Sequence, residues 1–374
     1  MLRFNSDHKF KIMQIADTQE IPAVSPDTLS LINNALDREK PDLVIFTGDQ
    51  IKGYSKKFKK DPAIIESTID ILVEPIAKRN IPFMVTYGNH DAQCGIDNRG
   101  QYKFYAKYDN FISGDLRNAD DVGTADIQIY SSTEDKPVFE LYIIDSHGKA
   151  KDGAGYAPVD KKQIEWYVSR REQLKAENGD YLPSLVFQHI PVPEFFDVIK
   201  KVPKGTKSAV PAYGAHENEY FVLNDETIAE GGFMLESPAS PDVNTGEFEA
   251  MSEKGDVLGI YVGHDHNNSF VVKYKGVDLG YTQGAGFNVY GPGENRGVRI
   301  FELDEIAPRE YKTHTATFKE LCGTKIKTPV KEFIYKHAPT SPRAVKPILI
   351  KVGIGIAAIA AVYAAYKFFT GFNI

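Results

Sequence analysis

Short apolar runs alternate with amphipathic stretches over most of the chain, and that alternation predicts its elements. Residues 11–16, 42–46 and 81–87 are brief, mostly apolar runs with the length of buried strands. Between the first two, Ser25 followed by Pro26 opens a helix through about Glu39. Ile64, Ile65, Thr68, Ile69, Leu72 and Ile76 recur at helical spacing over 62–79, with Pro75 placed to kink the last turn. This alternation argues an α/β core with a largely parallel first sheet. Farther on, 126–130 and 138–144 read as neighbouring strands turning at 134–136. Residues 160–175 read as a helix carrying Trp166, and 184–188 as another buried strand. Residues 201–247 are rich in Pro, Gly and acid with weak periodicity, the pattern of a long functional loop. Strands at 257–262, 269–274, 277–281 and 298–303 close the body as a mostly antiparallel group.

The far end of the chain follows a different pattern. From 348 to 369 only Lys351 and Lys367 interrupt 22 otherwise apolar or small residues, a length of roughly 33 Å as helix. The two lysines stand near the ends, where long side chains can snorkel to headgroups. The expectation is a hydrophobic helix over 347–371 acting as a single membrane-spanning tail anchor. Charge supports the division. Nine basic residues face three acidic ones between Arg309 and Lys346, so the body is more acidic than the net −7 of the chain. An acidic body with a basic tail argues against nucleic-acid binding. The expected organisation is one domain over 1–308, a basic tether over 309–346 on the cytoplasmic side, and the anchor. The 374 residues, 42% hydrophobic, suffice for one large core, and two cysteines suit a reducing compartment.

The candidate chemistry lies where the apolar runs stop. Asp17-Thr18-Gln19 follows the first strand, Gly48-Asp49-Gln50 the second and Gly88-Asn89-His90-Asp91 the third. His189 ends the 184–188 strand, and Gly263-His264-Asp265-His266 follows 257–262. Carboxyl ends of strands are where open α/β sheets bind ligands. Singly, each cluster could be a turn or a hydrogen-bonded core residue. Jointly, two carboxylates, three histidines and two amides suit two adjacent divalent cations. The carboxylate of Asp91 is available to orient the His90 imidazole.

In this order the clusters resemble the calcineurin-like metallophosphoesterases, most closely their small purple-acid-phosphatase-like branch. The resemblance extends over about 10–303 and includes Gln188-His189-Ile190-Pro191 and the glycine-rich Gly284-Ala285-Gly286-Phe287. It implies a four-layer α/β/β/α sandwich with a dinuclear site at the strand ends. It also implies that Asp17, Asp49 and His266 hold one metal, that Asp49 bridges, and that Asn89, His189 and His264 hold the other. His90, oriented by Asp91, would contact the phosphate or protonate the leaving oxygen.

Two positions depart from that family. Gln19 replaces the usual histidine, and its harder oxygen shifts that position from zinc towards manganese, iron or magnesium, manganese most of all. Lys52 replaces the ligand tyrosine of purple acid phosphatases proper, so no tyrosinate–iron colour is expected. The expected reaction is hydrolysis of a phosphate ester by direct attack of a hydroxide shared by the two ions. Alternatives are a membrane-tethered enzyme acting on a pyrophosphate or a phospholipid-linked phosphate, and a non-catalytic metal-binding scaffold. His147 and Tyr156 are candidate substrate contacts.

Overall fold

The computed structural model describes residues 1–113, 121–151, 153, 155–224, 228 and 232–337. Two sheets pack face to face between layers of helices. The first runs Tyr311–Thr317, Gly297–Asp304, Lys9–Ile15, Leu43–Thr47, Phe83–Thr86. Its last three strands are parallel, as expected, and Gly297–Asp304 pairs antiparallel with Lys9–Ile15. The second sheet has eight strands, with Pro137–Ile144, Ser184–Gln188, Val257–Val262 and Val277–Tyr281 parallel at its centre.

The period-two side-chain alternation of strands divides the apolar residues among three cores. Met13, Ile15, Val44, Phe46, Phe83 and Val85 face the helices Pro26–Glu39 and Pro62–Ala77. Ile12, Leu43, Ile45 and Met84 point the other way and meet Leu141, Ile143, Leu185, Phe187 and Tyr261 of the second sheet. Tyr142, Ile144, Val186, Ile260 and Val262 then pack outward on the helix Lys161–Asn178. The helices start where the sequence indicates: the side chains of Ser25, Asp61 and Asp160 each accept a backbone N–H of the first turn.

Three expectations are corrected. Val257–Val262 pairs parallel with both of its neighbours, and the strand expected at 298–303 belongs to the other sheet, beside Lys9–Ile15. Strands buried on both faces show no polar side, so their pattern does not reveal the partner. Residues 201–247 are not one loop. They contribute to a small sheet ordered Lys200–Val202, Tyr220–Val222, Val210–Pro211, and Phe233–Met234 caps the edge of the large sheet. Strands of two or three residues are too short for periodicity to register.

The third correction concerns the expected basic tether. Tyr311–Thr317 is a sheet strand whose Tyr311 hydroxyl donates to Asp278 Oδ2 of the second sheet at 2.7 Å. Phe318 then packs against Phe287 at 4.9 Å. The Asp27 carboxylate accepts the Lys327 N–H at 3.0 Å and the Thr328 hydroxyl at 3.1 Å. This fixes the start of the helix Pro329–His337. Its Glu332 is buried against the fully buried Arg296, with Oε1 and Nη1 2.8 Å apart. Basic side chains on the outer positions had masked a half-buried strand and two docked helices. The tail anchor over 347–371 lies outside the described residues. Among the described residues no helix is long and apolar enough to cross a membrane.

Arg296 also donates to the carbonyls of Gly286, Val289 and Gly293, so loss of Glu332 leaves its charge unbalanced but not bare. Glu332→Ala is expected to cost about 3 kcal/mol, the lower end for a broken buried ion pair. Urea unfolding measures this, with a lowered midpoint at unchanged slope.

Candidate metal centre

The site forms because parallel strands from both sheets end side by side. Past Ile15 the chain turns so that the Asp17 N–H donates to Gly48 O at 3.2 Å, and the Gln19 N–H to Asp49 O at 2.8 Å. From the other sheet, the Gly263 N–H donates to His189 O at 3.1 Å and the His264 N–H to Asp17 Oδ2 at 2.9 Å. The turns are tight. Asp17, Asp49 and His264 adopt φ of 53°, 54° and 71°, the left-handed region that side-chain-bearing residues rarely occupy. Gly88 tolerates the crowding only because it lacks a Cβ, which would lie 2.2 Å from Asp49 Oδ1.

Donor atoms gather into two adjoining groups. In one, His266 Nε2 is 3.1 Å from Asp17 Oδ1, and Gln19 Nε2 is 2.9 Å from Asp49 Oδ2 and 3.1 Å from His266 Nε2. In the other, His189 Nε2 is 3.2 Å from Asn89 Oδ1, 3.2 Å from His264 Nδ1 and 3.4 Å from Asp49 Oδ2. Asp49 faces both. These separations suit ligand atoms that share an ion at bond lengths of about 2 Å. Backbone carbonyls set the tautomers: His189 Nδ1 is 2.9 Å from Thr47 O and His266 Nδ1 is 2.9 Å from Tyr290 O. A proton held there leaves each Nε2 lone pair facing inward.

The electrostatics call for a cation. Asp17 Oδ1 is buried with no hydrogen-bond partner, and Asp17, Asp49 and His189 each offer an atom within 4.8 Å of the others. Burial disfavours charge on His189, yet the Asp49 and Asp17 carboxylates outweigh it and push the imidazolium up to about 10. Burial also opposes charge on Asp49, but His189 and His90 hold its carboxyl below the ordinary range. His264 is driven well down by burial and by His189. The donor set therefore fits two divalent ions, with Asp17, Gln19, Asp49 and His266 facing one position and Asp49, Asn89, His189 and His264 the other. Gln19 presents its amide nitrogen to Asp49, while its Oε1 accepts from the Tyr54 hydroxyl at 3.4 Å. Coordination through oxygen requires the amide to turn over.

The expected role of Asp91 is corrected. Its carboxylate does not contact the His90 ring. Oδ2 accepts the backbone N–H of Asp49 at 2.7 Å and of Gly88 at 2.8 Å, and Oδ1 that of Ile51 at 3.2 Å. Burial and the Asp49 charge push its carboxyl up to about 7 against these donors. The group beside His90 Nδ1 is Gln93 Oε1, at 2.9 Å. The sequence signal was there, because residues three apart align in a 3₁₀ turn and Asp91–Cys94 is one. Tyr54, whose ring centroid is 4.6 Å from that of His90, was also missed.

Around these groups lies a cleft of about 610 Å³ lined by Lys52, Tyr54, His90, Lys149, Tyr156, Tyr213, Glu236, Tyr290 and Tyr335, among others. Tyr156 lines it, as expected, with its ring 4.5 Å from that of His264. His147 does not line it. It lies beside Asp121 and Asp145, and its Nε2 is 4.0 Å from Asp160 Oδ2.

Asp91→Ala leaves three backbone donors unsatisfied at about 1–3 kcal/mol each. It is expected to destabilise by about 3 kcal/mol or more and to lower metal content, whereas Gln93→Ala keeps both. Thermal unfolding with elemental analysis separates the two variants.

A family model described as calcineurin-like phosphoesterase matches residues 10–268. A protein of Arabidopsis thaliana named probable inactive purple acid phosphatase 14 is 29% identical over 338 residues, 80% of this chain and 77% of its own. Phosphatase DCR2 of Saccharomyces cerevisiae is 28% identical over 298 residues, 73% of this chain and 46% of its own. Among solved structures, a dimetal phosphatase from Danio rerio covers 83% of this chain and 99% of its own at 13% identity, with a TM-score of 0.49.

Proposed function

Because the chain belongs to the calcineurin-like phosphoesterase family, we propose that it is an active hydrolase of phosphate esters that uses two divalent cations. The observation that supports this most is the convergence of buried donor atoms on two adjoining positions that share Asp49. Asp17, Gln19 and His266 complete one ligand set, and Asn89, His189 and His264 the other. When bound, the cations would lower the pKa of a shared water and offset the charge of the phosphoryl oxygens. The side chains do the rest. Asp17 and Asp49 supply fixed negative charge, and Thr47 O and Tyr290 O keep His189 and His266 in the ligating tautomer. His90, held by Gln93 and covered on one side by Tyr54, gives a proton to the leaving oxygen. Water attacks phosphorus directly, without a phospho-enzyme.

A metal-binding scaffold without turnover is the competing reading. It is favoured by three relatives whose names say probable inactive.

Asp49→Ala and His264→Ala are expected to lose hydrolysis of p-nitrophenyl phosphate and bound metal together. His90→Asn keeps the metal and loses about 10²–10⁴-fold in turnover, the range for a general acid. Wild-type protein loaded with manganese, zinc or magnesium and still without turnover points to the scaffold.

We also propose that residues 347–371 hold the enzyme on a membrane with its basic flank on the cytoplasmic side. Truncation at Ser341 retains the helix Pro329–His337. It is expected to release an active enzyme into the soluble fraction, and a full-length protein that is soluble without detergent overturns this placement.

A further inference from the structure

One wall of the cleft runs outward from the proton donor and past the groups that the mechanism above uses. It begins at His90, continues to the Tyr54 ring 4.6 Å away, then to Lys52, and ends at Tyr335. The Lys52 ammonium lies 5.4 Å from the Tyr54 ring centroid and 5.0 Å from that of Tyr335, contributed by the helix Pro329–His337. Nζ donates to Asn288 O at 3.1 Å and makes no ion pair among the described residues. A half-buried lysine with two N–H groups to spare, held between two rings, is a preorganised cation.

We propose that Lys52 receives a second phosphate on the leaving side of the substrate. The inference rests on the phosphoesterase reading, which places the leaving oxygen at His90 and therefore the rest of the leaving group along Tyr54, Lys52 and Tyr335. A neutral leaving group gives the Lys52 ammonium no direct ionic partner, leaving only the nearby Glu20 carboxylate to balance it. A phosphate there supplies one, and Tyr335 closes the far side. In the reaction, water gives up one proton to solvent as its oxygen bonds to phosphorus, and the bond between phosphorus and the leaving oxygen breaks. That oxygen keeps the electron pair, takes the His90 proton, and departs with its phosphate paired to Lys52. The second phosphate has two chemical sources, a phosphoanhydride or an alcohol that is itself phosphorylated.

The test compares kcat/KM for p-nitrophenyl phosphate, inorganic pyrophosphate and fructose 1,6-bisphosphate, with manganese, in wild type, Lys52→Met and Lys52→Arg. Bound metal and melting temperature are measured on each protein. In wild type at least one doubly phosphorylated substrate is expected to exceed p-nitrophenyl phosphate. Lys52→Met lowers that ratio tenfold or more, and Lys52→Arg keeps it within threefold. A fall confined to pyrophosphate assigns the phosphoanhydride, and one confined to the bisphosphate assigns the phosphorylated alcohol. An unmoved ratio in a Lys52→Met protein that still hydrolyses p-nitrophenyl phosphate overturns the Lys52 assignment alone. No turnover of any of the three substrates by wild type overturns the phosphoesterase reading and this assignment with it.

Discussion

The site depends on one buried carboxylate that touches neither substrate nor metal position. Asp91 binds the backbone N–H groups of Asp49, Ile51 and Gly88, joining two loops that leave adjacent parallel strands. Left-handed backbone at Asp17, Asp49 and His264 costs of order 1–3 kcal/mol at each residue. Such conformations persist only where the surroundings over-determine them. Asp91 does this for the Asp49 loop, and the Asp17 carboxylate does it for His264 by accepting its N–H. The donor atoms apart from the Gln19 oxygen, whose amide must turn over, are therefore already gathered, and ordering them costs little on binding.

The same economy extends outward. Each imidazole that offers Nε2 has its other nitrogen facing a backbone carbonyl supplied by a neighbouring strand or loop, so the sheets orient the ligands as well as positioning them. The negative charge gathered at Asp17 and Asp49 must be balanced locally. The Asp49 and Asp17 carboxylates favour positive charge at His189 against its burial. The cleft wall of tyrosines and Lys52 lies beyond this charged floor, where selectivity among substrates can vary without disturbing the ligands.

Much of this was legible in the sequence because the signals were local. Apolar runs that stop at Asp17, Asp49, Asn89, His189 and His264 are strand ends, and the structure brings those five together with Gln19 and His266. What escaped was non-local or masked. Gly297–Asp304 carries apolar residues on both faces, and nothing in its own residues says that its partner is Lys9–Ile15. Asp91 was matched to its sequence neighbour His90, but in a 3₁₀ turn adjacent side chains diverge and the residue three positions on is the one that aligns. The lysines around Tyr311–Thr317 and Pro329–His337 suggested a solvated tether, although Phe318, Glu332 and Tyr335 carry the packing. Tyr335 reaches a cleft that Gln19 and Asp49 also line, a proximity that no local pattern encodes.

The pairing of Lys9–Ile15 with Gly297–Asp304 has a consequence for biosynthesis. Lys9–Ile15 is made before nearly all of the other described elements, and its second neighbour after most of them. Until that neighbour emerges, one side of Lys9–Ile15 presents open N–H and C=O groups, an edge of the kind that recruits other chains. Contacts of such sequence separation also slow folding, since the loop must close before pairing returns any energy. The cleft stays incomplete over the same interval, because Tyr335 comes later still. A nascent or C-terminally clipped chain is thus both association-prone and short of one cleft wall.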